Sequence, residues 1–154
     1  MPRISSFEIL EKEAQPAISI RTRSQAAKLP QVIGEGYGKL AAYLKESGKF
    51  LADAPYVAYH NMDMQDLDVE MAFPLAAPLP GTGDIQATST PKGKLVICMY
   101  RGPYHKIEPT YHEMIQWITG NALQPVGSSY EYYWNSPTNV PEDDLLTLLA
   151  MPVG

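Results

Sequence analysis

The same order of elements occurs twice in this chain, and that order limits the fold more than any single motif does. The first pass opens with "FEILEKEAQPAISIRTRS", two extended pieces about Pro16 in which Ile18 and Ile20 alternate with Ser19 and Arg21. Such alternation predicts a half-buried strand. In "QVIGEGYGKLAAYLKESGKF", Ile33, Tyr37, Leu40 and Leu44 fall at helical spacing, and Gly48 supplies a stop. Gly34, Gly36 and Gly38 either weaken the first turns, by ~1 kcal/mol each relative to Ala, or admit something close to the backbone. "APYVAYHN" and "DLDVEMAFPL" then predict two strands joined by "NMDMQ". The second pass follows the Pro/Gly-rich connection "AAPLPGTGD". "IQATSTPKGKLVICMYRG" predicts two extended pieces split at "PKG". "EPTYHEMIQWITGN" predicts a helix with Pro109 in its first turn and Gly120 at its end. Its apolar stripe is Tyr111, Met114, Ile115 and Ile118. "SSYEYYWN" and "DDLLTLLAMPV" predict the last two strands, joined by "SPTNVPE".

The residues themselves carry a faint echo of this duplication. A shift of 74 lays "GYGKLAAYL" on "TYHEMIQWI", with Tyr37 on Tyr111 and Tyr43 on Trp117, and lays "YVAYHN" on "YEYYWN". A shift of 78 aligns Pro74 with Pro152. A helix packed on one face of an antiparallel sheet is an α+β layer. The expectation is therefore one domain over residues 1–154, made of two pseudo-symmetric β-α-β-β repeats at about 1–80 and 81–154. Helices would cover one face of the antiparallel sheet, and a ligand cleft would lie between the halves, where such sites often form.

Composition narrows the function classes. A chain of 154 residues with 45% hydrophobic and 19% charged residues has the material for a globular core. The net charge is −5 and the basic residues are scattered. Nucleic-acid affinity depends on Lys and Arg meeting phosphates, so no direct nucleic-acid ligand is expected. No apolar stretch reaches the ~20 residues of a membrane span, and the N-terminus has no signal-peptide pattern. These features, with the single Cys98 in "KLVICMY", predict a cytoplasmic protein with a buried, inert thiol. His60, His105 and His112 lack metal-ligand spacing. "GEGYGK" lacks the phosphate-cradling pattern, and there is no G-x-S-x-G elbow. Neither metal nor cofactor is expected, and no catalytic residue is assigned.

"SSYEYYWNSP" places one acid, Glu131, among three tyrosines and a tryptophan. Alternation puts Glu131 and Tyr133 on one face and Tyr130, Tyr132 and Trp134 on the other. A glutamate on a strand most often faces solvent, and strand aromatics are commonly core. An acid set instead in an aromatic hollow is costly unless paired. A cation would suit it, and ring faces would add ~1–2 kcal/mol each. Burial would raise the Glu131 pKa.

"YRGPYHKIEPTYHEMIQWI", "YEYYWNSP" and "LLTLLAMPV" together resemble the GyrI-like small-molecule-binding domain family, which includes the effector domains of multidrug-sensing transcription regulators. The shared features are a Gly-Pro-Tyr turn at Gly102, Pro103 and Tyr104, an aromatic near a helix end at Trp117, and Glu131, Tyr133 and Pro137. "DLDVEMAFPL" is similar to the family's other acid-bearing strand, at Glu70. The resemblance implies a ligand site in which Glu131 meets cationic, lipophilic molecules. Tyr133, Trp117, Tyr37, Tyr59, Tyr104, Phe73 and Glu70 are the other candidate ligand-binding residues. Many members carry an N-terminal DNA-binding domain. This chain starts directly at the ligand domain, which predicts a stand-alone binding module. The alternative is a small hydrolase of reactive electrophiles that uses the same glutamate. A third reading is a protein-binding inhibitor, which needs an exposed patch. An exposed sheet edge would admit a homodimer or a protein partner.

Overall fold

The computed structural model describes residues 3–154. They form eight strands and two α-helices. In chain order these are β1 (Glu8–Lys12), β2 (Pro16–Ser24), α1 (Leu29–Ser47), β3 (Tyr56–Tyr59), β4 (Leu67–Pro74), β5 (Gln86–Ser89), β6 (Gly93–Arg101), α2 (Glu108–Gly120), β7 (Ser129–Tyr133) and β8 (Leu146–Pro152). The predicted order of strand, helix, strand, strand holds in both passes, as β2-α1-β3-β4 and β6-α2-β7-β8. The fold is α+β, and every ladder named below is antiparallel.

Two compact units result. The N-terminal unit is Ala14–Pro91, and the C-terminal unit joins the residues up to Glu13 with Lys92–Gly154. In the N-terminal unit β5 pairs with β2, β2 with β4 and β4 with β3. In the C-terminal unit β1 pairs with β6, β6 with β8 and β8 with β7. The two strand orders are the same. The strand that precedes each repeat in sequence pairs with the other repeat: β1 runs into β2 but pairs with β6, and β5 runs into β6 but pairs with β2.

Helix α1 begins at Leu29, four residues before the apolar periodicity opens at Ile33, because Pro30 is well tolerated in a first turn. It ends at Gly48, whose φ of 68° is left-handed; the Lys49 N–H closes back on the Leu44 carbonyl at 3.0 Å. Gly36, Leu40 and Leu44 are its buried residues. Gly36 has a packing reason, since a Cβ there would overlap the end of the Met71 side chain on β4. Gly34 and Gly38 face open space and only weaken the helix.

Helix α2 buries Thr110, Met114 and Ile118. The expected stripe is rotated. Residues four apart face the sheet, so Ile115, about 100° round from Met114, stands 42% exposed. Met114 and Ile118 pack with Val96, Cys98, Tyr100, Leu149, Met151 and Val153 into the core of this unit. Burial pushes the Cys98 thiol up to about 11, which leaves it protonated and unreactive at neutral pH.

Gly36 offers a test of the α1–β4 contact. Gly36→Ala is expected to change stability little, because ~1 kcal/mol of helix propensity offsets a displaced Met71 terminus. Gly36→Leu is expected to cost ~1–3 kcal/mol through overpacking. Urea denaturation of both variants checks this, and equal stabilities would contradict the close approach.

Candidate functional site

Leu149, Cys98 and Met114 belong to one core, so the face of β8 that carries Leu149 is the face covered by α2. The ladder sets Glu131 of β7 directly against Leu149. Alternation then turns Glu131 and Tyr133 toward α2 and Tyr132 away from it. Glu131 is 8% exposed, so the acid does lie inside the protein rather than in solvent.

Two phenols hold it. Tyr111, from the first turns of α2, donates its hydroxyl to Glu131 Oε2 at 2.6 Å. Tyr133, two residues along β7, donates to Oε1 at 2.9 Å. Burial drives the Glu131 pKa up, and the two phenolic hydrogen bonds partly oppose it. Among the described residues no Lys, Arg or His contributes to this balance.

Tyr104 completes the group. Its ring meets Tyr133 edge-on, with centroids 5.5 Å apart and planes at 68°. Burial, and then the negative charge of Glu131, raise the pKa of its phenol. The Gly-Pro-Tyr turn places this ring. Gly102 has φ of 142°, a conformation that favours glycine, and its N–H donates to the Leu145 carbonyl at 2.9 Å. The buried Tyr100 hydroxyl donates to the Pro103 carbonyl at 2.6 Å, which fixes the corner just before Tyr104.

The other predicted residues make contacts of their own. Trp117 packs on Phe7 with ring centroids 5.9 Å apart. It sits six residues beyond Tyr111, about 9 Å along the helix. Tyr37 of α1 and Phe73 of β4 form an aromatic pair in the N-terminal unit, at 5.4 Å. Tyr59 shares their sheet face: it pairs with Val69, and Val69, Met71 and Phe73 alternate on one side of β4. Glu70 lies on the opposite side of β4. There it accepts the Ser19 hydroxyl at 2.5 Å and meets His60 Nε2 at 2.8 Å. Beside it, Arg21 grips Asp68 through two hydrogen bonds of 2.9 and 2.7 Å; this contact raises Arg21 and lowers Asp68.

Helical spacing alone places Tyr111 in the apolar stripe and not among the candidate site residues. The shift of 74, which sets Tyr111 on the candidate Tyr37, is the signal that points to it. The ladders support that correspondence. Val57 pairs with Met71 as Glu131 pairs with Leu149, and Tyr59 pairs with Val69 as Tyr133 pairs with Thr147. The N-terminal unit therefore has valine where the C-terminal unit has the acid.

The family model of the GyrI-like small molecule binding domain matches residues 5–153. No curated protein matches the chain at the sequence level. Similar solved structures include EcmrR in its DNA complex, with TM-score 0.83 and 18% identity over 96% of this chain. The chain spans 57% of that EcmrR chain, but 98% of the separate EcmrR C-terminal domain, at TM-score 0.82, 20% identity and 98% of this chain. SAV2435 bound to tetraphenylphosphonium gives TM-score 0.69 and 12% identity over 97% of this chain and 94% of that one. A hydrolase from Listeria innocua gives 0.69 and 16% over 100% and 94%. At these identities the likeness is one of fold.

The raised Glu131 pKa has a consequence for stability. The folded protein holds this proton to higher pH than the unfolded chain does, so stability is full below the ordinary glutamate range and falls as pH rises through the raised value. Glu131→Gln is expected to match wild type in acid and to exceed it at neutral pH by roughly 2–4 °C in Tm. Thermal denaturation across pH measures this, and a gap that does not vary with pH would count against a buried ionisable acid.

Proposed function

The chain belongs to the GyrI-like small molecule binding domain family, and on that premise we propose that the Glu131 site binds cationic, lipophilic small molecules. One observation carries the reading: among the described residues, the carboxyl of Glu131 is buried with only neutral phenols as partners. A buried charge is costly unless paired. A ligand cation would complete the pairing that the two hydroxyls begin. The rings of Tyr104 and Tyr133 supply apolar surface for a lipophilic body and cation–π attraction of ~1–2 kcal/mol each when water is excluded. The tetraphenylphosphonium bound to SAV2435, a protein of the same fold, is a ligand of this type.

The carboxyl must ionise to serve a cation, so binding couples to proton release. Affinity falls as pH drops below the raised Glu131 value, and a cation shifts that value down by favouring the charged form.

A second reading has one observation in its favour. A carboxyl raised by burial and bridged to two tyrosines suits general acid or base chemistry, and a hydrolase from Listeria innocua shares the fold. In that case Glu131 would activate water against an electrophilic substrate.

Titration with a fluorescent lipophilic cation separates these readings. Glu131→Gln is expected to weaken binding by ~10–100-fold, the loss of one charged partner at ~1.5–3 kcal/mol. Undiminished binding in that variant would reject the site. Tyr111→Phe removes a donor to the ionised form, and is expected to move the pH midpoint of binding upward. Hydrolysis of an electrophilic ester that disappears with Glu131 would favour the enzyme.

A further inference from the structure

Two hydroxyls in the C-terminal unit, Oγ1 of Thr147 and Oγ1 of Thr110, are fully buried and have no hydrogen-bond partner among the described residues. Buried hydroxyls ordinarily find one. Thr147 is the better placed of the two. The ladder sets it between Tyr133 of β7 and Tyr100 of β6, on the face that α2 covers. Glu131 lies opposite Leu149, two residues along β8, so Thr147 and Glu131 are diagonal neighbours on one sheet face. The fold does not require a hydroxyl at this position. The matching place in the N-terminal unit is Val69, opposite Tyr59 as Thr147 is opposite Tyr133, and valine has nearly the shape of threonine. At two diagonal positions the C-terminal unit has an oxygen-bearing side chain where its counterpart has valine, Glu131 for Val57 and Thr147 for Val69. Both changes bring hydrogen-bonding oxygen to one patch.

We propose that Thr147 Oγ1 is a ligand acceptor, and that it makes the Glu131 site select protonated amines over cations that lack an N–H. This rests on the reading of Glu131 as a cation site and narrows its ligand class. The two carboxylate oxygens each already accept a phenolic hydroxyl. A quaternary ammonium or a phosphonium needs only the charge and the rings. A protonated tertiary amine also carries one directed donor, and the free lone pairs of Thr147 offer it an acceptor beside the charge. Discrimination comes from the hydroxyl left without a partner when the ligand has no N–H to give.

The test uses a matched pair of probes, N,N-dimethyl-1-naphthylmethylamine in its protonated form and its N-methyl quaternary salt. Both are titrated by calorimetry into wild type and Thr147→Val at neutral pH. Wild type is expected to prefer the amine by about tenfold. Thr147→Val is expected to abolish that preference by weakening the amine alone, while its Tm stays level or rises because a partnerless hydroxyl has been removed. A wild type that binds both probes equally, or a variant that loses both equally or keeps the preference, overturns the role of Thr147 and leaves the Glu131 reading intact. Such results would fit a hydroxyl that only holds an internal water. A wild type that binds neither probe overturns both readings. Because the readout is a ratio within each protein, a partly folded variant does not obscure it.

Discussion

Everything in the C-terminal unit that distinguishes it from a plain α+β layer follows from one burial, that of the Glu131 carboxylate beside an apolar core. Leu149 faces it across the ladder, and Met114 and Ile118 hold α2 against the same face. Desolvation there favours the neutral acid, and the hydroxyls of Tyr111 and Tyr133 favour the charged one. Burial is the larger influence and favours the neutral acid, and the two hydroxyls act against it. A group in that position responds to whatever enters its surroundings. The corner at Gly102 and the bond from Tyr100 to Pro103 serve this balance, because they fix the Tyr104 ring next to Tyr133.

The N-terminal unit shows what the same arrangement does without the acid. Tyr37 stands where Tyr111 stands, Tyr59 where Tyr133 stands, and Val57 replaces Glu131. Tyr37 packs on Phe73. The polar residues of β4 go to the other side of the strand, where Glu70 and Asp68 are matched by Ser19, His60 and Arg21. The acid of β7 thus lies on the helix-covered face of its unit, and the acids of β4 on the face of theirs that α1 leaves free. The aromatic positions are common to both, and the function proposed for one depends on two substitutions for valine.

Much of this was legible in the residues. Alternation and helical spacing located the elements, and their order exposed the repeat. The Glu131–Tyr133 pair follows directly from strand geometry, since residues two apart share a face. What failed did so where tertiary contact, not local pattern, decides. Tyr111 reads as core at its helical position, and only the approach of β7 turns its hydroxyl toward an acid. Ile115 reads as core and is exposed because the contact face is centred on Thr110, Met114 and Ile118. Glu70 looks equivalent to Glu131 as an acid on an aromatic-flanked strand, yet its register places it on the other side. Thr147 gave no signal, because a threonine inside an apolar strand is unremarkable until its hydroxyl is found without a partner.

The crossed pairing of β1 and β5 has an unequal consequence for the two units. Each repeat sends its leading strand to complete the other's sheet. The N-terminal unit is nonetheless one unbroken segment, Ala14–Pro91, whereas the C-terminal unit is assembled from two. The unit that carries the acid thus depends on a strand delivered from the opposite end of the sequence, and loss of β1 would bare β6 while leaving the N-terminal unit whole.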